Sequence, residues 1–435
     1  MSERKVFVTT VGCKLNQYDS EAMLSNLRCA GYQETRVPSE ADLCVVNTCA
    51  VTAAAERKSR NLLRRISRET VGARLVAVGC LAERDPRALQ AIEGVGMVLG
   101  NREKEHLLDF LWAQSSQSVA TGEILRVTDW TDDAWTDGLL GRARAYLKVQ
   151  DGCNEKCTYC IVPQLRGRSR SRSMADTVAR AQRLIDNGFE EIVLTGVNLA
   201  SYGDDLGMDV GLTTLLSSLE KLSGLRRIRL GSIEPWGLSR RLIQFMAQSE
   251  KICPHLHVPI QSADDSVLRR MNRRYASSHL DELIRFAFSL RTDWGLGADV
   301  IVGFPGETDE QFDQTYGFLE EHPFTYLHIF PFSPRPGTSA LRLPARVASS
   351  EISRRARVLK ELDRAKRLAF RKKHIGSMQR VIPEVRKVGG TASGYASNYL
   401  RVFFDSPRVP LKNLCEIHVN ALHPQGVQGH LIGTT

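Results

Sequence analysis

Over the first 112 residues, short apolar runs alternate with amphipathic stretches, so the hydrophobic period switches repeatedly between that of a strand and that of a helix. Val6 to Thr10, Leu43 to Val46, Leu75 to Val78 and Met97 to Leu99 read as strands, each followed by a helical pattern ending near a glycine or polar break. This order predicts a small parallel α/β sheet. A polar stretch at Ala113 to Ser118 and an acidic, Trp-bearing segment at Asp129 to Asp137 then mark a boundary.

The alternation resumes with Tyr146 to Gln150, Ile192 to Thr195, Arg227 to Leu230, His255 to Ile260, Ala298 to Val302 and Tyr326 to Phe330. Helical patterns such as Met174 to Asn187 and Asp309 to Glu321 lie between them. Six βα units predict an open or partial (βα)6 barrel, with chemistry at the strand carboxyl ends, where Cys153, Asn198, Ser232, Gln261, Gly303 and Phe332 fall. A long helix pattern, Ser349 to Lys373, closes this region. Beyond Gly376 the runs turn short and β-prone (Gln379 to Val385, Leu400 to Phe404, Leu414 to Ala421), which suits a small all-β barrel of a kind that binds oligonucleotides. The expected domains are therefore 1–125, a parallel α/β domain, 139–373, the partial barrel, and 374–435, the β-barrel.

Composition narrows the class. The 435 residues, 42% of them apolar and 25% charged, make a folded multidomain chain and exclude a disordered one. No apolar run reaches the roughly 18 residues of a membrane span, and the start carries no export signal, so a cytoplasmic protein is expected. The net charge of +10 suits a polyanionic partner. Ten cysteines in a reducing compartment point to metal or catalysis before disulfides. Cys29, Cys44, Cys253 and Cys415 have apolar neighbours and are expected to be buried filler.

Cys153, Cys157 and Cys160 lie within eight residues after the first barrel strand. A closed 4Fe-4S cluster takes four thiolates, so a three-cysteine loop leaves one iron open to a ligand. A zinc site completed from a distance is the alternative. Cys13, Cys49 and Cys80 each follow a strand of the first sheet. Strand carboxyl ends share one edge of a parallel sheet, so these three meet in space and suggest one metal site. His255 and His257 are expected to pack in the barrel rather than ligate metal.

The C-x3-C-x2-C spacing, with Tyr159 before the last cysteine, resembles the radical S-adenosylmethionine (radical SAM) superfamily. Cys13 within Gly12-Cys13-Lys14-Leu15-Asn16-Gln17-Tyr18, Cys49 within Asn47-Thr48-Cys49-Ala50-Val51-Thr52, and Cys80 within Gly79-Cys80-Leu81-Ala82 resemble the amino-terminal domain of the methylthiotransferases, and the tail resembles their TRAM domain. The resemblance implies two 4Fe-4S clusters. The one on Cys153, Cys157 and Cys160 binds and reductively cleaves S-adenosylmethionine; the auxiliary one on Cys13, Cys49 and Cys80 carries the sulfur. It also implies an electron donor such as a flavodoxin or ferredoxin.

By position, the resemblance gives Thr195, Gly196 and Asn198 to the methionyl amino group, and Ser232 and Glu234 to the ribose or methionyl end. It gives Gln261 and Arg270 to substrate or methionyl carboxylate, and Val300 to Gly303 and Phe332 to the adenine. Arg166, Arg168, Arg170 and Arg172, following the cluster loop, are expected at a phosphate backbone. The Arg- and Lys-rich helix from Arg354 to Lys373 reads as an RNA-facing surface or a solvated charged face. Cys13-Lys14-Leu15-Asn16-Gln17-Tyr18 and Gln150-Asp151-Gly152-Cys153 resemble the subgroup that acts at C2 of N6-threonylcarbamoyladenosine-37 in the tRNA anticodon loop. The competing readings are a sister enzyme acting on N6-isopentenyladenosine-37 or a ribosomal protein, and a noncatalytic metal-containing RNA-binding module.

Overall fold

Parallel pairing organises the first sheet, as strand–helix alternation requires. The computed structural model describes residues 4–70, 72–113, 118–130, 135–136, 143–386, 390–405 and 412–434. In it β1 (Lys5–Thr10), β2 (Gln33–Glu34), β3 (Leu43–Thr48), β4 (Arg74–Gly79), β5 (Val95–Leu99) and β6 (Val119–Ala120) are parallel, in the order β2-β1-β3-β4-β5-β6. Every residue of β3 is buried, as expected of a central strand covered on both faces. The core beneath it joins Val46, Leu63, Ile66, Ala77 and Val98 to Ile161 and Leu165, which come from just beyond the three-cysteine loop.

That packing explains the division of the chain. One compact unit comprises Met1–Asp137, Gln150–Arg172 and Ser333–Leu341; the other comprises Gly138–Val149, Ser173–Phe332 and Arg342–Thr435. Within the first, β8 (Gln150–Asp151) and β9 (Arg170–Ser171) pair antiparallel and close the loop at its base.

In the second unit β7 (Ala145–Lys148), β10 (Glu191–Thr195) and β11 (Arg227–Leu230) form one parallel sheet, and β12 (His255–Gln261), β13 (Gly295–Val302) and β14 (Tyr326–Pro331) another. Parallel bridges at Ile228–Ile252 and Ser232–His257 join them into the six-stranded partial barrel. Side chains alternate along each strand. Leu256, Val258, Leu296, Ala298, Val300 and Leu327 enter the apolar core, which leaves His255, His257, Asp299, Tyr326 and His328 on the opposite face. The helix Ser349–Lys373 falls where its charge and apolar pattern place it.

The tail is a closed barrel of β15 (Met378–Arg386), β16 (Thr391–Ala396), β17 (Arg401–Asp405), β18 (Cys415–His423) and β19 (Gly426–Thr434) in the order β15-β16-β17-β19-β18. Closure leaves no unpaired edge. Its β16–β17 turn sits at the amino-terminal ends of β10, β11 and β12. There Arg229 donates to Glu191 at 2.7 Å and to the Ser397 and Ala396 carbonyls at 2.8 and 3.0 Å. Gly295 permits this approach, because a Cβ there would overlap the Asn398 carbonyl oxygen.

Cys44, Cys253 and Cys415 are buried as expected, but Cys29 is exposed: it is the last residue of its helix, where the chain has already turned outward. No helix among the described residues is long and apolar enough to cross a membrane.

Candidate metal centres

Cys13 caps the amino terminus of helix Lys14–Cys29, Cys49 follows the last residue of β3, and Cys80 opens a short helix after β4. Because β1, β3 and β4 are neighbours, the three positions share one sheet edge. Gly12, at φ +121°, lies so close that a Cβ would stand 3.2 Å from the Cys49 sulfur and 2.9 Å from Asn16 Nδ2. Cys49 and Cys80 are buried and Cys13 is exposed, so the set opens on one side. Burial, then the neighbouring Cys80 and Cys13 sulfurs, push the Cys49 thiol up to about 12. A cationic iron at the three sulfurs would remove that penalty, which is the chemistry expected of a donor set rather than of inert filler.

A buried polar network surrounds these cysteines. Arg166 forks onto both Asp151 oxygens at 3.0 Å, and its other arm donates to Asn16 Oδ1 at 2.7 Å and Asp19 Oδ2 at 2.9 Å. Lys104 donates to the same Asp19 oxygen at 2.6 Å and to Asn101 Oδ1 at 2.7 Å. Asn101 in turn donates to the Cys80 sulfur at 3.6 Å and to the Leu165 carbonyl at 2.8 Å. The network therefore runs from the Cys80 sulfur to the segment two residues before Cys153. Next to it, burial and the neighbouring Glu103 raise the Glu83 carboxyl to about 7, although the Asn101 N–H donates to it at 2.8 Å.

The second set lies in the same unit. Cys153, Cys157, Tyr159 and Cys160 are half-buried. The Glu155 N–H donates to the Cys153 sulfur at 3.4 Å, and the Cys160 N–H to the Cys157 carbonyl at 3.0 Å, so the backbone curls around the sulfurs. Gly152, at φ +69°, allows the turn, since a Cβ would overlap the Arg168 carbonyl. Segment Ser333–Leu341 braces the loop through Ala340 N–H to the Thr158 carbonyl at 2.8 Å and Gln164 to the Gly337 carbonyl at 2.9 Å.

Of the four arginines expected at a phosphate backbone, the structure leaves only Arg168 exposed. Arg166, Arg170 and Arg172 are 3%, 5% and 0% exposed. Carboxylates and carbonyls of the same unit have taken them inward: Arg170 donates to the Arg166 carbonyl at 2.8 Å, and Arg172 reaches Tyr18 Oη at 3.1 Å and lies 4.6 Å from the centre of the Trp130 ring. Asp19, Asn101 and Lys104 escaped the sequence reading. The available signal was Asn16 and Asp19, three apart, on the helix face that Cys13 begins.

In the second unit the expected cofactor residues gather at the strand carboxyl ends. Thr195 ends β10, and Gly196 and Asn198 follow it; Asn198 is buried and donates to Ser201 Oγ at 3.0 Å. Ser232 bridges to His257, and Gln261 ends β12 at a register shift with φ +61°, an uncommon conformation for a non-glycine residue. Glu234 is clamped by Arg273, whose Nη1 donates at 3.1 Å and which is packed beside Trp236 and Tyr275; the sequence reading missed this arginine. Arg270 is occupied with the Gly306 carbonyl at 3.1 Å and Gln311 Oε1 at 3.0 Å, and Phe332 meets Phe304 edge-on at 5.6 Å. His255 and His257 are buried as expected, both bonded to Tyr326 Oη at 2.9 Å. His257 also bonds Asp299 at 2.8 Å, which places it, with His328, in a group spaced for an ion.

Residues 147–319 match the radical SAM superfamily, and residues 5–100 match the family described as uncharacterized protein family UPF0004. A radical SAM methyltransferase from Kitasatospora setae has the same fold, with a TM-score of 0.57 at 15% identity over 90% of this chain and 81% of that one. The protein is thus a radical SAM enzyme. Threonylcarbamoyladenosine tRNA methylthiotransferases from Bacillus subtilis and Thermotoga maritima are each 36% identical to it, over 91% and 98% of this chain and 89% and 96% of theirs. A ribosomal protein uS12 methylthiotransferase from Roseiflexus is 35% identical over 93% and 90%. The chain belongs to the radical SAM methylthiotransferase family: it is a transferase whose cofactors are S-adenosylmethionine and two 4Fe-4S clusters.

Proposed function

We propose that this enzyme transfers a methylthio group to C2 of N6-threonylcarbamoyladenosine at position 37 of tRNA. The observation that carries the reading is the presence, in one compact unit, of two three-cysteine sets, with a continuous buried network running from the Cys80 sulfur to Asp151, two residues before Cys153. The names of the B. subtilis and T. maritima relatives supply the substrate.

In this reading Cys153, Cys157 and Cys160 hold the S-adenosylmethionine-binding cluster, and Cys13, Cys49 and Cys80 hold the auxiliary one. When bound, the clusters and S-adenosylmethionine supply the one-electron chemistry and the sulfur that side chains lack. The protein's own residues bind and orient. Thr195, Gly196 and Asn198 take the methionyl amino group, Ser232 and Glu234 the ribose or methionyl end, and Gln261 and Arg270 substrate or methionyl carboxylate. Tyr159, Val300 to Gly303 and Phe332 line the cofactor. Arg273 positions Glu234, Gly12 lets backbone approach the Cys49 sulfur, and Gly152 lets the cluster loop turn against the Arg168 carbonyl. Residues 1–125, 139–373 and 374–435 are the amino-terminal cluster domain, the radical SAM barrel and a TRAM-like RNA binder. An unstacked anticodon-loop base fits a partial barrel's open mouth. The enzyme is cytoplasmic and draws electrons from a donor such as a flavodoxin or ferredoxin.

Mass spectrometry of tRNA nucleosides from cells with and without the gene tests this. Loss of the methylthio-threonylcarbamoyl nucleoside is expected; loss of the isopentenyl product, or of neither, overturns the substrate. Cys157→Ala should abolish turnover and Cys49→Ala should still allow deoxyadenosine formation. Modification retained in either variant contradicts the two-cluster scheme.

A further inference from the structure

A cavity of about 190 Å³ opens in the second unit at the amino-terminal end of β14, between that strand, helix Ser349–Lys373 and the closed barrel. Its walls carry Arg367, Arg371 and Arg401 together with Tyr326, Tyr395 and Tyr399. The charges are unequally matched. Arg367 pairs with Asp363 at 2.7 Å, whereas Arg371 donates to the Pro424 carbonyl at 3.1 Å and Arg401 lies 4.9 Å from the centre of the Phe403 ring. Among the described residues, neither Arg371 nor Arg401 has a carboxylate partner. Burial, and then repulsion by Arg367, hold Arg371 below the usual arginine range. Such a recess is short of negative charge.

We propose that this cavity takes a backbone phosphate of the RNA substrate. Guanidinium forks match phosphate oxygens in pairs, which a lone lysine does not. Tyr395 and Tyr399 stack on each other with ring centres 4.6 Å apart, with Arg144 over Tyr395 and His255 stacked on Tyr399, so they form a fixed wall beside the charge and the recess is suited to a phosphate rather than to a base. At about 190 Å³ the space is below the roughly 300 Å³ of a pocket that encloses a whole small ligand. It therefore suits one group of a longer chain. β14 separates the cavity from the strand carboxyl ends by about 16 Å at about 3.3 Å per residue, so this phosphate and the reacting base belong to different stretches of the RNA. The phosphate chemistry stands on the cavity itself; assigning it to RNA rests on the tRNA reading above.

The test is equilibrium binding of the full chain to tRNA from cells lacking the gene, across a salt series, with R371A, R401A and the charge-retaining R371K and R401K. The alanine variants should bind several-fold more weakly and lower the slope of log K against log salt by about one, and the lysine variants should restore much of that slope. Unfolding midpoints equal to the parent's show that the loss is local; if an alanine variant fails to fold, its lysine counterpart should still bind tRNA more weakly than the parent. Unchanged affinity and slope overturn the proposal. Binding of AMP or inorganic phosphate that R371A abolishes, with tRNA affinity intact, reassigns the cavity to a free nucleotide and overturns the RNA source. A parent chain that binds no tRNA overturns the functional reading together with this one.

Discussion

Arg166→Met removes one charge and four hydrogen bonds from the centre of the first unit while nearly preserving side-chain length. Removing one member of a buried ion pair costs about 3–5 kcal/mol, because the partner is left charged and desolvated. Here the partners are not left bare. Asp19 keeps Lys104 at 2.6 Å, and Asp151 keeps the Gly152 N–H at 2.8 Å and Arg170 at 3.8 Å. The lower end, about 3 kcal/mol, is therefore expected, which is roughly a hundredfold in a local opening equilibrium at 1.4 kcal/mol per decade. Amide hydrogen exchange reads this directly: protection in helix Lys14–Cys29 and in Gln150–Arg172 should fall by that factor, while the closed barrel, in the other unit, keeps its rates. Arg166→Met with Asp151→Asn should recover part of the loss, because the stranded charge goes with its partner. Equal protection in variant and parent, or a double variant as loose as the single, would refute the reasoning.

Glu191 is fully buried; burial alone would raise its carboxyl, but Arg229, Arg144 and Arg227 outweigh it and hold it at about 2. Its contribution to stability is present above the ordinary carboxylate range and is lost as pH falls through about 2, so acid unfolding of the parent should be steeper there than that of Glu191→Gln, which is less stable at neutral pH. Glu83 has the opposite sign. Its carboxyl titrates near 7 in the fold, so stability falls as pH rises from the ordinary range to about 7, and Glu83→Gln should gain on the parent in melts above that pH. Gly295→Ala places a methyl on the Asn398 carbonyl and should expose the 374–435 barrel to limited proteolysis while β1 to β6 stay protected.

Strand placement was legible because apolar runs and glycine breaks repeat at a regular spacing: β11 and helices Asp309–Glu321 and Ser349–Lys373 fall on the expected residues. β16 and β19 were not. β16 is mostly small or polar (Thr391, Ala392, Ser393, Gly394) and β19 is broken by Gly426, Gly429 and Gly433, and Gly394 is required because a Cβ would overlap the Ile382 carbonyl, so no apolar run marks either strand. The boundary segments at Ala113 to Ser118 and Asp129 to Asp137 lie partly outside the described residues. Cysteine positions were legible because their ligand chemistry is local in sequence. The Arg166 network was not, because charge pairing between residues 147 apart leaves no periodic trace, and the same arginines read equally well as a phosphate-facing run.

The first unit is assembled from three separated stretches of chain, ending at Leu341. During synthesis at about 5–20 residues per second, Arg166 leaves the ribosome roughly 7–30 seconds after Asp19. Until then Asp19 and Asn16 wait without that cation, and Glu56 waits longer still for Arg335. A nascent chain therefore shows Cys13, Cys49 and Cys80 before Arg166 and Arg335 exist, so those thiols are open to metal before their enclosure is complete.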